Sequence, residues 1–191
     1  WQSKRLHKVM ADSVTSNKHY LALIIGQYRI GKNNDLQYRI ARRNSHNQGA
    51  LLSSAINNML MEPGRYQAAT DASFRFLTLN HAMLSYISAL GAHRTRIDSG
   101  VTHQLILDAH REIHIHLDAL SQQLNNDCQS RFDTLDSSLI EKRFIQWQES
   151  EDDSARMVLQ QLHLIYQMLP ELHELANTLA VKTSNTAKTN N

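Results

Sequence analysis

Punctuation is what most constrains this chain. Only 6 Gly and 2 Pro are spread over 191 residues, and the one Pro-Gly pair is Pro63-Gly64. A fold of many short strands needs turn formers at frequent intervals, and Gly and Pro are the residues that supply the special backbone angles. Here they are too sparse. Between them, apolar residues recur three and four apart over long stretches, the spacing of one face of a helix. The chain therefore reads as a few long helices joined by short connections.

The first helix runs from about Gln2 to Ile30, with Leu6, Met10, Leu21, Ile24 and Tyr28 in register, and Gly31 stops it. Asn34 can cap the second, with Gln37 in the capping-box position three residues on. That helix continues to Glu62, where Pro63-Gly64 ends it. A third spans about Gln67 to Arg94, and a fourth runs from near Asp98 to about Asn126. Asp127 to Thr134 is polar and reads as a loop. A shorter helix then carries Ile140, Phe144 and Trp147 behind a Ser138/Glu141 capping box. Ser150 to Asp153 makes an acidic start, favourable at the positive end of the helix dipole, for a last helix with a bend before Pro170. Its apolar positions are Met157, Leu162, Ile165, Leu169, Leu172 and Leu179. Residues 182–191 are Thr, Asn and Lys in the main and read as a disordered tail, leaving residues 1–181 as one domain.

Phe76, Leu77, Leu79, Met83, Leu84, Tyr86, Ile87 and Leu90 cover more than half the circumference of the third helix. A helix apolar nearly all round belongs inside. The expected fold is all-α: an antiparallel bundle of five to six helices with the third at its centre.

The net charge of +2 conceals an uneven split. Residues 1–100 hold 13 Lys/Arg against 5 Asp/Glu, whereas residues 101–191 hold 7 against 13. The excess is steepest over residues 1–43, with 9 basic against 2 acidic side chains. The single Cys128 excludes a disulfide scaffold and a cysteine zinc site. No run of about 20 apolar residues exists to cross a membrane; the longest is Tyr20 to Ile25. The chain begins at Trp1 with neither an initiator Met nor an apolar signal region, which reads as a piece of a longer protein or a processed product. Trp1 followed by Lys4, Arg5 and Lys8 has the pattern found after the cytoplasmic end of a membrane helix, where basic side chains meet anionic lipid. A solvated basic surface is the plain alternative; nucleic acid is disfavoured because no recognition pattern accompanies the charge.

On the second helix, Leu36, Ile40, Leu51 and Ala55 define an apolar arc, with Asn44 and Asn47 inside it and Arg39, Arg42, Arg43 and His46 on its flank. Folding back at Pro63-Gly64 should bring His46 and Asn47 level with His81, and Asn80 one step away. This polar cluster has two readings. Its members bond one another and fix helix register, or Arg42, Arg43 and His46 hold an anion. On the fourth helix, His103, His110 and His114 form a row, with His116 nearer the apolar face. No carboxylate accompanies them in a metalloprotease or di-iron spacing, so the row reads as surface or core-edge histidines. No phosphate loop, nucleophile elbow or Cys/His pair occurs. No catalytic residue, metal or cofactor is expected, and the chain reads as a non-enzyme.

Two segments carry a resemblance. One is Ala41-Arg42-Arg43-Asn44-Ser45-His46-Asn47, continuing through Leu52-Ser53 to Met59 and Glu62-Pro63. The other runs from Asn80-His81 through Ser85-Tyr86 and Leu90-Gly91 to His93-Arg94. They resemble the C-terminal soluble domain of the YccS/YhfK-type inner-membrane proteins, within the fusaric acid resistance (FUSC) superfamily. The motifs cover roughly residues 1–95. The resemblance implies a cytoplasmic helical domain that follows the last membrane segment, on a protein exporting aromatic or other organic acids, with an assembly or regulatory role. It implies as partners the membrane part of the same protein, anionic lipid near the N-terminus, and further copies of the chain. It brings no catalytic residues. The positions singled out are Arg42, Arg43, His46, Asn47, Asn80, His81, His93 and Arg94, and Gly91 is expected to let helices pack closely. A stand-alone helical binding module, holding a small anion between the second and third helices, is the competing reading.

Overall fold

The computed structural model describes residues 2–31, 36–61, 67–94, 97, 100–126, 142 and 153–188. Among the described residues there are five helices: α1 (Gln2–Ile30), α2 (Leu36–Leu60), α3 (Gln67–Ala92), α4 (Gly100–Asn126) and α5 (Asp153–Lys188). The fold is all-α, and no strand occurs among the described residues. The Asn34 cap, the Pro63-Gly64 turn, the loop from Asp127 to Thr134 and the short helix around Phe144 fall outside them.

Gly31 ends α1 with φ of +88°, and its amide donates to the Gln27 carbonyl at 2.7 Å. That left-handed angle is one a residue with a Cβ adopts at a cost, so the glycine fixes where the helix stops. At the far end of α3, the Ile97 amide donates to the Tyr28 carbonyl at 3.1 Å and pins the connection to α4 against α1. Helix α5 includes Pro170, which is exposed, and extends to Lys188. From Glu171 to Asn191 there is neither Gly nor Pro, so no residue breaks it by backbone constraint.

The packing forms a closed ring. Helix α1 packs on α2, α2 on α3, α3 on α5, α5 on α4, and α4 back on α1; α1 and α3 also touch across the middle. The central position expected for α3 is thus shared with α1, because each has three neighbours. The apolar arc of α3 is wider than its burial. Phe76, Met83, Ile87 and Leu90 are fully covered, whereas Leu77 and Tyr86 are half-covered and Phe74 lies outside. In α1, Met10, Val14, Leu21, Ile24 and Tyr28 are sealed between its partners.

Ion pairs join the basic first half to the acidic second. Lys18 on α1 pairs with Asp118 on α4, and Arg75 on α3 grips Glu171 on α5 at 2.5 and 3.0 Å. Both carboxyls are held below the usual carboxylate range by their partners' hydrogen bonds. Part of the charge split is therefore paired across the seam between α1/α3 and α4/α5.

Candidate functional site

Helix α2 carries two apolar stripes, and the bulkier one faces out. Leu36 is 64% exposed, Leu51 54% and Ile40 44%, and Asn44 and Asn47 beside them are exposed as well. This corrects the expectation that this arc turns inward. The buried stripe is Tyr38, Ala41, Ser45, Leu52, Ile56 and Met59, with Gly49 in line. Its small members decide the outcome. Ser45 comes close enough to α1 to donate to the Ser16 carbonyl at 2.8 Å, and Gly49 sits against Leu84 and His81 of α3. Side-chain bulk favours one face of α2, but close approach of two neighbours favours the other.

The outward rotation puts Arg39, Arg42, Arg43 and His46 together on the surface. With Tyr38 they line a depression of about 430 Å³. No Asp or Glu occurs anywhere in α2. Behind the depression, the Arg94 guanidinium lies 3.6 Å above the centre of the Tyr38 ring and is itself buried. The Tyr38 and Tyr20 hydroxyls share a hydrogen bond at 3.3 Å, and burial pushes the Tyr20 phenol well above its ordinary pKa. Both hydroxyls crowd Gly91, where a Cβ would lie 2.9 Å from each and 3.2 Å from Ile24 Cδ1. The close approach expected at Gly91 is thus real, and it holds the Tyr38 wall in place.

The remaining candidates do not join this site. His81 sits further along α2 than expected, beside Gly49, with its Nε2 3.3 Å from Ser53 Oγ. Asn80 faces α1 instead of α2. It accepts from Asn17 Nδ2 at 3.1 Å and donates to Ser13 Oγ at 2.9 Å, all three side chains being buried. The expected cluster inside the α2/α3 hairpin therefore does not form, and Asn80 fixes α1 against α3. His93 is exposed just past the end of α3. Tyr38 was missed as a wall of the depression, although its four-residue spacing from Arg42 puts both on one side of α2.

On α4, the His110 and His114 rings lie 5.8 Å apart, edge to face, and burial lowers His110 to a pKa of about 4. Among the described residues no three His, Cys, Asp or Glu side chains come together as a metal site would require. His116 is buried against Tyr166 and His173 of α5. His173, which the sequence reading passed over, is the more constrained. Its Nε2 is 3.1 Å from the His116 carbonyl, its Nδ1 2.9 Å from Gln123 Oε1, and burial lowers it to about 4. Gln123 in turn donates to Asn177 at 2.8 Å. These contacts tie α4 to α5.

No family profile matches the chain, and no solved structure does. Among curated proteins, the inner membrane protein YccS of Escherichia coli is 37% identical over 92% of this chain. The chain is YccS-like. An uncharacterised protein of Haemophilus influenzae is also 37% identical, over 91% of the chain. A third similar protein, called ORF2, from Neisseria gonorrhoeae, is 33% identical over 48% of it. The chain spans about a quarter of the length of the first two, 24% and 25%. The similarity extends well past residue 95, into α4 and α5 of this chain. Among the described residues, no helix is long and apolar enough to cross a membrane.

Proposed function

We propose that this chain is the C-terminal cytoplasmic domain of an inner-membrane protein of the fusaric acid resistance superfamily, assembling or regulating a transporter that exports aromatic or other organic acids. The observation that carries the reading is the 37% identity to inner membrane protein YccS along 92% of the chain, against only 24% of that protein's length. Transport itself then runs through the remaining three quarters, and this domain performs no catalytic step. Its partners are the membrane part, further copies of the chain, and anionic lipid.

Expression of the whole reading frame with a C-terminal reporter tests this. The expected result is inner-membrane fractionation, a reporter active only on the cytoplasmic side, and greater sensitivity to aromatic acids when residues 1–191 are deleted. A reporter on the opposite face, or unchanged sensitivity after deletion, refutes it.

The depression on α2 supports a second reading, a small-anion module. Three guanidiniums and an imidazole converge there with no carboxylate on the same helix, and guanidiniums suit planar carboxylates and phosphates. A panel of aromatic carboxylates should then raise the melting temperature of the wild type, and Arg42→Ala with His46→Ala should abolish the shift. Absence of any shift in the wild type removes this reading.

A further inference from the structure

The outer face of α2 is unusual in what it leaves uncovered. Leu36, Ile40 and Leu51 are 64%, 44% and 54% exposed on a helix whose other face is sealed into the bundle. At 100° per residue these three fall within about 60° of arc, and Arg43, Arg39, His46 and Arg42 follow in turn along one side of it. At the same end of the hairpin, α1 finishes in exposed Arg29 and Ile30. In α1 and α2 together Asp12 is the one acidic residue, and it pairs with Lys8 near the far end. Aliphatic side chains flanked by arginines, with no acid among them, is the composition of a helix that lies in the plane of a bilayer surface.

We propose that the outer face of α2 docks on an anionic phospholipid surface, with Arg39, Arg42 and Arg43 on headgroup phosphates and Leu36 and Ile40 at the acyl boundary. The inference rests on the membrane reading above and moves the lipid contact away from the N-terminus. Of the basic residues of α1, Lys8 is paired with Asp12 and Lys18 with Asp118. The Ser45–Ser16 bond sets the level of the two helices. It places Arg42 roughly 15 to 20 Å along the hairpin from Lys8 at 1.5 Å per residue. The α2 arginines lie together on one side of the helix and adjoin the exposed aliphatic side chains of Leu36 and Ile40. A second copy suits the face poorly, because a two-fold contact sets Arg39, Arg42 and Arg43 against themselves. A free phosphate shares the headgroup chemistry but makes no use of Leu36 and Ile40.

The test is co-sedimentation of the 191-residue chain with vesicles of phosphatidylglycerol and phosphatidylethanolamine, and with vesicles of phosphatidylcholine alone. Binding is expected to the first and not the second, and to weaken as salt is added. Each arginine near such a surface is worth about fivefold in partitioning, from about 1 kcal/mol apiece. Arg39→Gln, Arg42→Gln and Arg43→Gln together should therefore lower binding by at least about tenfold. Leu36→Ser with Ile40→Ser should lower it several-fold. All five positions are exposed, and circular dichroism confirms that the variants fold. Arg5→Gln with Lys8→Gln should bind as wild type.

Wild-type chain left in the supernatant with phosphatidylglycerol vesicles overturns the proposal, as do α2 variants that sediment like wild type. Displacement by millimolar inorganic phosphate at constant ionic strength reassigns the patch to a free anion. Self-association of the wild type that the α2 variants lose, without vesicle binding, reassigns it to a second copy. Membrane fractionation of the whole reading frame is scored separately, so the inference can fall while the membrane reading stands.

Discussion

Gly91→Ala isolates the joint on which the Tyr38 wall rests. The substitution adds one methyl group near the end of α3, and helix propensity alone favours it by up to about 1 kcal/mol. Packing opposes it. The new Cβ lies 2.9 Å from both the Tyr20 and Tyr38 hydroxyl oxygens and 3.2 Å from Ile24 Cδ1, where ordinary contact begins at 3.4 Å. Both oxygens must retreat by about half an ångström, and neither ring has room. Tyr20 is 1% exposed, Tyr38 5%, and Arg94 covers a face of Tyr38. Overfilling of this kind costs about 1–3 kcal/mol. The net expectation is a loss of about 1–2 kcal/mol, or a few degrees in melting temperature for a chain of this size. Urea denaturation of four proteins checks it: wild type, Gly91→Ala, Tyr20→Phe/Tyr38→Phe, and the combination. With both hydroxyls gone, Gly91→Ala should become neutral or stabilising. A stabilised single variant, or an equal effect in both backgrounds, refutes the reasoning.

Asn80→Ala leaves buried Asn17 and Ser13 without their shared partner, and should lower stability by about 2 kcal/mol in urea. Glu171→Gln weakens the grip on Arg75, but both side chains are about half exposed; a loss above about 1 kcal/mol would contradict that placement. His173 gives a pH dependence of definite sign. The folded ring binds a proton only near pH 4, whereas an unfolded histidine does so from about pH 6.5 downward. Stability is thus complete above about pH 6.5 and falls as the pH drops from there to about 4, by on the order of 3 kcal/mol from this group. His173→Gln should flatten that slope in melting temperature against pH; superimposable slopes would rule the histidine out.

Helix positions were largely legible because long, periodic apolar stretches tolerate few alternatives, and Gly31 marked its boundary by the one property that sets glycine apart. Facing was harder. On α2 the bulky residues Leu36, Ile40 and Leu51 suggested the inward side, but the inward stripe holds Ala41, Ser45 and Gly49, where Ser45 bonds to α1 and Gly49 faces Leu84 and His81 of α3. A hydrophobic count weighs volume and ignores the distance between backbones. The same blindness misplaced Asn80, which looked like a partner for α2 and is claimed by Asn17 from a helix more than sixty residues away. The cationic cluster was readable, since Arg39, Arg42, Arg43 and His46 are neighbours by helical spacing alone. The Arg94–Tyr38 stack and the His173 contacts were not, because each joins segments that only the closed ring brings together.

That ring also makes the chain divisible. The α1–α3 and α4–α5 groups pack against each other along α1/α4 and α3/α5, and the chain passes from the first group to the second after Ala92. Cutting after Ala92 leaves one fragment of net charge +7 and another of −5. Each lacks the apolar surface that seals the other, and each attracts its counterpart through the field that Lys18–Asp118 and Arg75–Glu171 represent in miniature. Mixed fragments should recombine quickly in dilute salt and slowly in concentrated salt.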